Sequence, residues 1–336
     1  MNKMILIVLA AFAVLLVVSC FILSSIVFPC RGLFQGGRAA LSPGAAEHAV
    51  LETNLRMHVT ALAGTIGERN LFHPEKLEQA AEYIKHVWQE QGFEVRTQVY
   101  EHQGVPFQNL WVQIDGAESP REIVLAGAHY DSVLHSPGAD DNASGAAALL
   151  ELSGRLKKIG PFKRSIRFAA FTNEEPPFFK SPEMGSRVFA RTAAQEKENI
   201  TAMISLETIG YFTDERRSQK YPPLFNLFYP DTGNFLAVVG NVESRKLVEK
   251  VTRYFREASP LPCECAAVPG SVPGVDWSDH ASFWEYGVPA VMVTDTAPYR
   301  NPRYHQAGDT PETLTYPAFA QAVSGLAHVL ERLAGE

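Results

Sequence analysis

The sequence predicts an α/β fold, a mixed, mostly parallel sheet sandwiched by helices. Three observations predict it. Strand-like apolar runs alternate with helix-periodic runs over about 280 residues, the pattern of a sheet covered on both faces. Two early strand-like runs have no helical pattern between them, so they are expected to pair as an antiparallel hairpin at one edge. The later strand-like runs end, one after another, in carboxylates or imidazoles. Open α/β sheets gather ligand-binding groups at the carboxyl ends of their strands.

From Met4 to Phe28 no residue is charged and nearly every position is apolar. Crossing a bilayer takes about 20 apolar residues, and the apolar part of a cleaved signal peptide is shorter. Residues 1–28 are therefore expected to be a membrane anchor or signal segment, with the rest of the chain outside the cytoplasm (periplasmic or extracellular). Val17-Val18-Ser19-Cys20 offers a rival, a lipoprotein cleavage box with a lipidated Cys20. The run stays apolar from Phe21 to Phe28, which favours the anchor. Residues 29–46 hold Pro, Gly, Ser and Ala with little periodicity and read as a linker. Residues 47–336 are left as the folded domain.

Pro74 to Gln91 reads as a helix, because Leu77, Ala80, Ala81, Ile84, Val87 and Trp88 recur at helical spacing. Pro74 suits its first turn and Gly92 its end. Strands are expected at Phe93–Tyr100, Leu110–Ile114 and Ile123–Ala128, then a helix from Ser144 to Leu156. Further strands are expected at Ile166–Phe171, Ala202–Leu206, Phe235–Val239 and Ala290–Val293. Helices are expected near Met184–Thr192, at Glu243–Arg256 and at Tyr316–Leu333.

A formal charge of −7 without a basic stripe argues against a nucleic-acid partner. Cys263-Glu264-Cys265 allows either a tight disulfide or two thiols, and a lone Cys-x-Cys is too little for a closed zinc site.

The chemistry lies just beyond the strand ends. His129-Tyr130-Asp131 comes after the third strand, and the loop beyond it carries Asp140-Asp141-Asn142. Asn173-Glu174-Glu175 comes after the fourth strand, Glu207 after the fifth, and Tyr304-His305 after the last. Each group alone is weak evidence. Together they crowd carboxylates onto one rim, where a cation is needed to tolerate them. Two His and three carboxylates suit two zinc ions sharing one bridging carboxylate, with an open position for water.

The ordered set of His129-Tyr130-Asp131, Gly138 to Gly145, Asn173-Glu174-Glu175, Leu206-Glu207 with Gly210, Ser278-Asp279-His280 with Phe283, and His305 with Asp309-Thr310 resembles the two-zinc aminopeptidase family. That family includes secreted bacterial leucine-preferring aminopeptidases, yeast aminopeptidase Y and, more remotely, glutamate carboxypeptidase II. The resemblance covers about residues 47–336. It implies a zinc exopeptidase fold and removal of residues from the amino terminus of peptide substrates. It also implies residue roles. His129 and Glu207 hold one zinc, Glu175 and His305 the other, and Asp141 bridges them. Glu174 is the general base, Asp131 sits behind His129, and Tyr304 stabilises the tetrahedral intermediate. The Asp141–Asn142 peptide is expected to be cis. Glu207 departs from the Asp frequent at its position in the family.

Three alternatives remain open on the same resemblance: a glutaminyl cyclase-like enzyme, a carboxypeptidase with Arg187, Arg300 or Arg303 as its carboxylate clamp, and a receptor-like protein. Tyr211 to Asp231 reads as an insertion, either a lid or a surface loop. The aromatic region from Trp277 to Tyr304 is a candidate wall for an apolar pocket. Pro176 to Phe179 reads as rim packing. Asp309 either orients His305 or caps the turn before Pro311.

Overall fold

The computed structural model describes residues 44–336. The expected anchor, Cys20 and nearly all of the expected linker lie outside the described residues. No helix among the described residues is long and apolar enough to cross a membrane.

Helix α1 spans Ala45–Val59 and runs into a widened helical turn over Thr60–Ile66. Its start falls inside the stretch expected as linker. Helix α2 spans Pro74–Glu90 and buries Leu77, Ala80, Ala81, Ile84 and Trp88 along one stripe. Pro74 sits in its first turn, where a missing N–H leaves no bond unmade. Strands β1 (Arg96–His102) and β2 (Val105–Ile114) form the expected antiparallel edge hairpin. The remaining elements come in order: β3 (Ser119–His129), α3 (Gly145–Ile159), β4 (Arg164–Phe171), α4 (Gly185–Gln195) and β5 (Asn199–Glu207). Then come β6 (Leu236–Gly240), α5 (Arg245–Ala258), β7 (Cys263–Ala267), α6 (His280–Trp284), β8 (Ala290–Thr294), α7 (Ala297–Arg300) and α8 (Tyr316–Ala334).

The eight strands form one sheet in the order β1-β2-β4-β3-β5-β8-β6-β7. Strands β4, β3, β5 and β8 run parallel, and antiparallel pairs join them to β2 on one side and β6 on the other. The sheet is therefore mixed with a parallel centre, as expected. The central strands are mostly apolar, with buried exceptions such as Arg167 in β4 and Ser205 in β5, because helices cover both faces. One face packs Leu55, Trp88, Leu149, Phe255, Phe319 and their neighbours from α1, α2, α3, α5 and α8. The other packs Phe171, Phe189 and Phe283, using α4 and α6. Truncating a buried leucine such as Leu149 to alanine costs about 2–5 kcal/mol in cores of this kind.

Strand β7 falls on Cys263-Glu264-Cys265, where no strand was expected. Cys263 keeps a free, buried thiol while Cys265 is disulfide-bonded, so the two do not pair with each other. Their side chains are two residues apart on one strand and lean to the same face, which holds them side by side rather than facing.

The four parallel strands all end at one rim. His129 is the last residue of β3 and Glu207 the last of β5. Glu174 and Glu175 lie just past β4, and the loop after β8 leads through α7 to His305.

Candidate metal centre

The fold brings all five expected ligand residues together as two groups that share Asp141. His129 Nε2 lies 3.3 Å from Asp141 Oδ1 and 3.3 Å from Glu207 Oε2. His305 Nε2 lies 3.1 Å from Asp141 Oδ2 and 3.5 Å from Glu175 Oε2. Asp141 thus turns one carboxylate oxygen to each group. His129 is fully buried, yet neither of its ring nitrogens has a hydrogen-bond partner. Buried polar atoms are rarely left so. A donor set of imidazole nitrogen and carboxylate oxygen, three per group, fits zinc with a fourth position open.

Several residues hold this arrangement. After β3 the chain makes a tight turn at Gly138, whose φ of +61° suits glycine. A Cβ there would lie 2.3 Å from the Asp141 carbonyl oxygen. Asp309 accepts hydrogen bonds from the backbone N–H groups of Asp140 (2.9 Å) and Asp141 (3.1 Å). Both of its oxygens are thus used on the loop that carries Asp141, rather than on His305 or the turn before Pro311, the two roles expected from sequence. The Asn142 side chain donates to the Leu206 carbonyl at 2.8 Å and accepts from the Gly145 and Thr208 N–H groups. This ties the Asp141 loop to the end of β5, which carries Glu207. The peptide between Asp141 and Asn142 is cis.

Asp131 lies with Oδ1 3.4 Å from His129 Nδ1. Its two oxygens also accept the backbone N–H groups of Glu174 and Glu175, each at 3.1 Å. One carboxylate thus sets both the ring behind one ligand and the chain that carries the neighbouring glutamates. Ser278 donates to Glu207 Oε2 at 2.7 Å, giving the Ser-Asp-His motif a first structural task. The next residue, Asp279, is fully buried with both oxygens unpartnered.

The electrostatics come from crowding in a buried place. Burial and then Asp141 raise the Glu175 carboxyl, against the pull of His305 and His129, to about 7. Burial, with Glu207, Glu175 and Asp279 nearby, holds the Glu174 carboxyl well above the ordinary range against the pull of His129. Burial opposes charge on His305, but hydrogen bonds to Asp141 and Glu175 prevail and raise it to about 10. The site is built to receive positive charge.

Tyr304 stacks on the His305 ring at 3.9 Å between centroids. It also borders a cavity that begins at Glu207. The inserted segment contributes Tyr221, Phe225 and Tyr229 to the cavity wall, and Trp277 and Tyr299 contribute from the expected aromatic region. The three rings of the insertion stack in sequence, with centroids 5.8 and 6.0 Å apart. The insertion is therefore a wall of the cavity rather than a plain surface loop.

Of the three candidate arginine clamps, Arg187 binds Glu285 and the Lys180 carbonyl at the surface. Arg300 is buried, donating to Gln219 and lying over the Phe235 ring. Arg303 is exposed, and the described lining of the cavity contains no arginine or lysine. Sequence reasoning missed the roles of Asn142, Ser278 and Asp309, although all three stand in motifs it had singled out. It missed Arg69 outright, which lies buried beneath the loop between His129 and Asp141.

Comparison with known proteins bears on the fold and the family of the chain. The family model described as peptidase family M28 matches residues 109–330. The uncharacterized protein YfbL of Escherichia coli K12 is 39% identical over 297 residues, covering 86% of this chain and 90% of YfbL. An aminopeptidase of Pseudomonas aeruginosa UCBPP-PA14 is 32% identical over 139 residues, covering 41% of this chain and 23% of that protein. Among solved structures, the zinc aminopeptidase BSAP of Bacillus subtilis superposes with a TM-score of 0.68 at 15% identity, covering 85% of this chain and 95% of BSAP. The glutaminyl cyclase of Porphyromonas gingivalis superposes with a TM-score of 0.62 at 16% identity, covering 84% of this chain and 98% of the cyclase. These two likenesses carry the fold alone. The family model carries more: the chain belongs to peptidase family M28.

Proposed function

We propose that this chain is a zinc aminopeptidase that hydrolyses the first peptide bond of peptides with a free amino terminus. The observation that carries the reading is Asp141, whose two oxygens address two complete donor groups. His129 and Glu207 would hold one zinc, Glu175 and His305 the second, with Asp141 between them. Bound zinc supplies Lewis acidity toward the scissile carbonyl and the attacking water.

The chain's own residues do the rest. Glu174 belongs to neither donor group, stands beside both and is nearly buried. A raised carboxyl in that place takes a proton from water and returns it to the leaving amine. Asp131 fixes the backbone of Glu174 and faces His129 Nδ1, so it aims base and ligand together. The Tyr304 hydroxyl donates to the oxygen that gains charge in the tetrahedral intermediate. The cavity beside Glu207 receives the first side chain of the substrate, and its aromatic walls suit a large apolar one. The carboxylates at its mouth attract the substrate ammonium group.

A second reading, a glutaminyl cyclase-like enzyme, is favoured only by the shared fold. Two complete donor groups favour the peptidase, as they do over a receptor-like protein. A carboxypeptidase needs a cation for the substrate carboxylate, and the described lining offers none. A panel of amino-acid anilides, each beside its amino-acetylated copy, tests the proposal. Chelator-sensitive cleavage of the unblocked compounds alone is expected. Cleavage of both sets, or cyclisation of glutaminyl peptides without cleavage, would replace it.

A further inference from the structure

Between the ligands His129 and Asp141 the chain makes a loop with no regular structure from Tyr130 to Gly138. Something must hold its two ends at a set separation, because the ends carry ligands of one donor group. Arg69 lies beneath this loop with no exposed surface. Its Nε donates to the Tyr130 carbonyl at 2.6 Å, at the start of the loop. Its Nη1 donates to the Pro137 carbonyl at 2.5 Å, and its Nη2 to the Gly138 carbonyl at 2.9 Å, at the loop's end. All three guanidinium nitrogens are thus used, and they bracket the loop. The Arg69 backbone joins in. Its N–H donates to Ser132 Oγ at 3.1 Å, and its carbonyl accepts the Ser132 N–H at 3.0 Å.

The hydrogen bonds of the Arg69 side chain go to carbonyls alone. Burial of an arginine without a bonded carboxylate is expensive and calls for a reason. Burial lowers its guanidinium to about 10, while Asp131, Asp309, Asp141 and Glu175 act through space to keep it charged. It is a fixed cation under the carboxylate cluster, holding the loop through a planar fork that lysine cannot reproduce.

We infer that Arg69 is a positioning residue for the metal centre: it sets the spacing of His129 and Asp141 and so prepares the chain to bind zinc. The inference rests on the zinc reading above, and the experiment separates the two. Zinc affinity of the purified full chain is measured by competition with a chromophoric chelator, well below the unfolding midpoint. Wild type is compared with Arg69→Lys, which keeps the charge and loses the fork, and with Ser132→Ala, which loosens the same bracket. Leu326→Ala, in α8 and 1% exposed, is the control for mere loss of stability.

Arg69→Lys is expected to weaken zinc binding about 10- to 100-fold, the usual effect of removing a group that orients ligands. Ser132→Ala is expected to weaken it about fivefold. Leu326→Ala lowers the unfolding midpoint and leaves zinc affinity unchanged. Excess zinc restores the metal content of both loop variants. If Arg69→Lys does not fold, Ser132→Ala decides. Wild-type affinity in the folded loop variants overturns the role given to Arg69 and leaves the zinc reading standing. A wild-type chain that takes up no zinc overturns both.

Discussion

Replacing Asp309 with asparagine should weaken zinc binding without removing a ligand. Asp309 has no exposed surface, and its two oxygens accept the N–H groups of Asp140 and Asp141 at 2.9 and 3.1 Å. Asparagine keeps one acceptor and turns an NH2 group toward the other N–H. That leaves a buried donor facing a donor, which costs about 1–3 kcal/mol. The metal-free loop can relax away from the conflict, but a loop that presents Asp141 to zinc cannot. The penalty therefore falls on binding. At 1.4 kcal/mol per tenfold, Asp309→Asn should raise the zinc dissociation constant about 5- to 150-fold. Chelator competition on the folded variant measures it, with the unfolding midpoint of the metal-free protein as a check on the fold. A dissociation constant within twofold of wild type would refute the reasoning, since the loop would then not depend on that carboxylate.

Other perturbations probe separate parts of the site. Glu174→Gln should keep its zinc and lose about 10²- to 10⁴-fold in kcat, the usual share of a general base; full turnover with normal metal content would remove that role. Tyr229→Ala takes one ring from the stacked wall of the cavity and should lower kcat/KM for aromatic anilides more than for alanyl anilide, read from the ratio of the two. The metal-free protein should lose stability as pH rises from about 5 to 8. Glu175, Asp279 and Asp309 have carboxyls raised to about 7. His305 is raised to about 10. The folded chain then holds more protons than the unfolded one in that window, so stability is greatest at the acid end and falls as these groups lose their protons. His280, held down to about 4 by burial, acts in the opposite sense but singly. A midpoint that rises with pH across this range would contradict the account.

Much of the sheet was legible because its centre is buried on both faces. Ile123 to Ala128 is an unbroken apolar run, and the structure makes it the heart of β3. The long helices were legible where one stripe is buried, as in α2 and α8. Helix α1 was not, because exposed Val50 and Met57 blur the stripe of Leu51, Leu55 and Val59. Strand β7 is short and carries a glutamate at its second position, so it was not read as a strand. The candidate ligands could be singled out because His129 and Glu207 end strands, Glu175 lies just past one, and Asp141 and His305 sit in the loops beyond strand ends. The groups that hold them were less so, because hydrogen bonds between distant segments leave no local pattern. Asp309 acts on backbone about 170 residues away, and Arg69 on carbonyls more than 60 residues away.

The central claim is that Asp141 is shared between two zinc ions, and metal stoichiometry tests it most directly. Elemental analysis of the purified chain and of Asp141→Ala, each saturated with zinc and freed of excess, should give about two ions per chain for the first and fewer than one for the second. Two ions retained by Asp141→Ala, or one ion in the wild type, would contradict it.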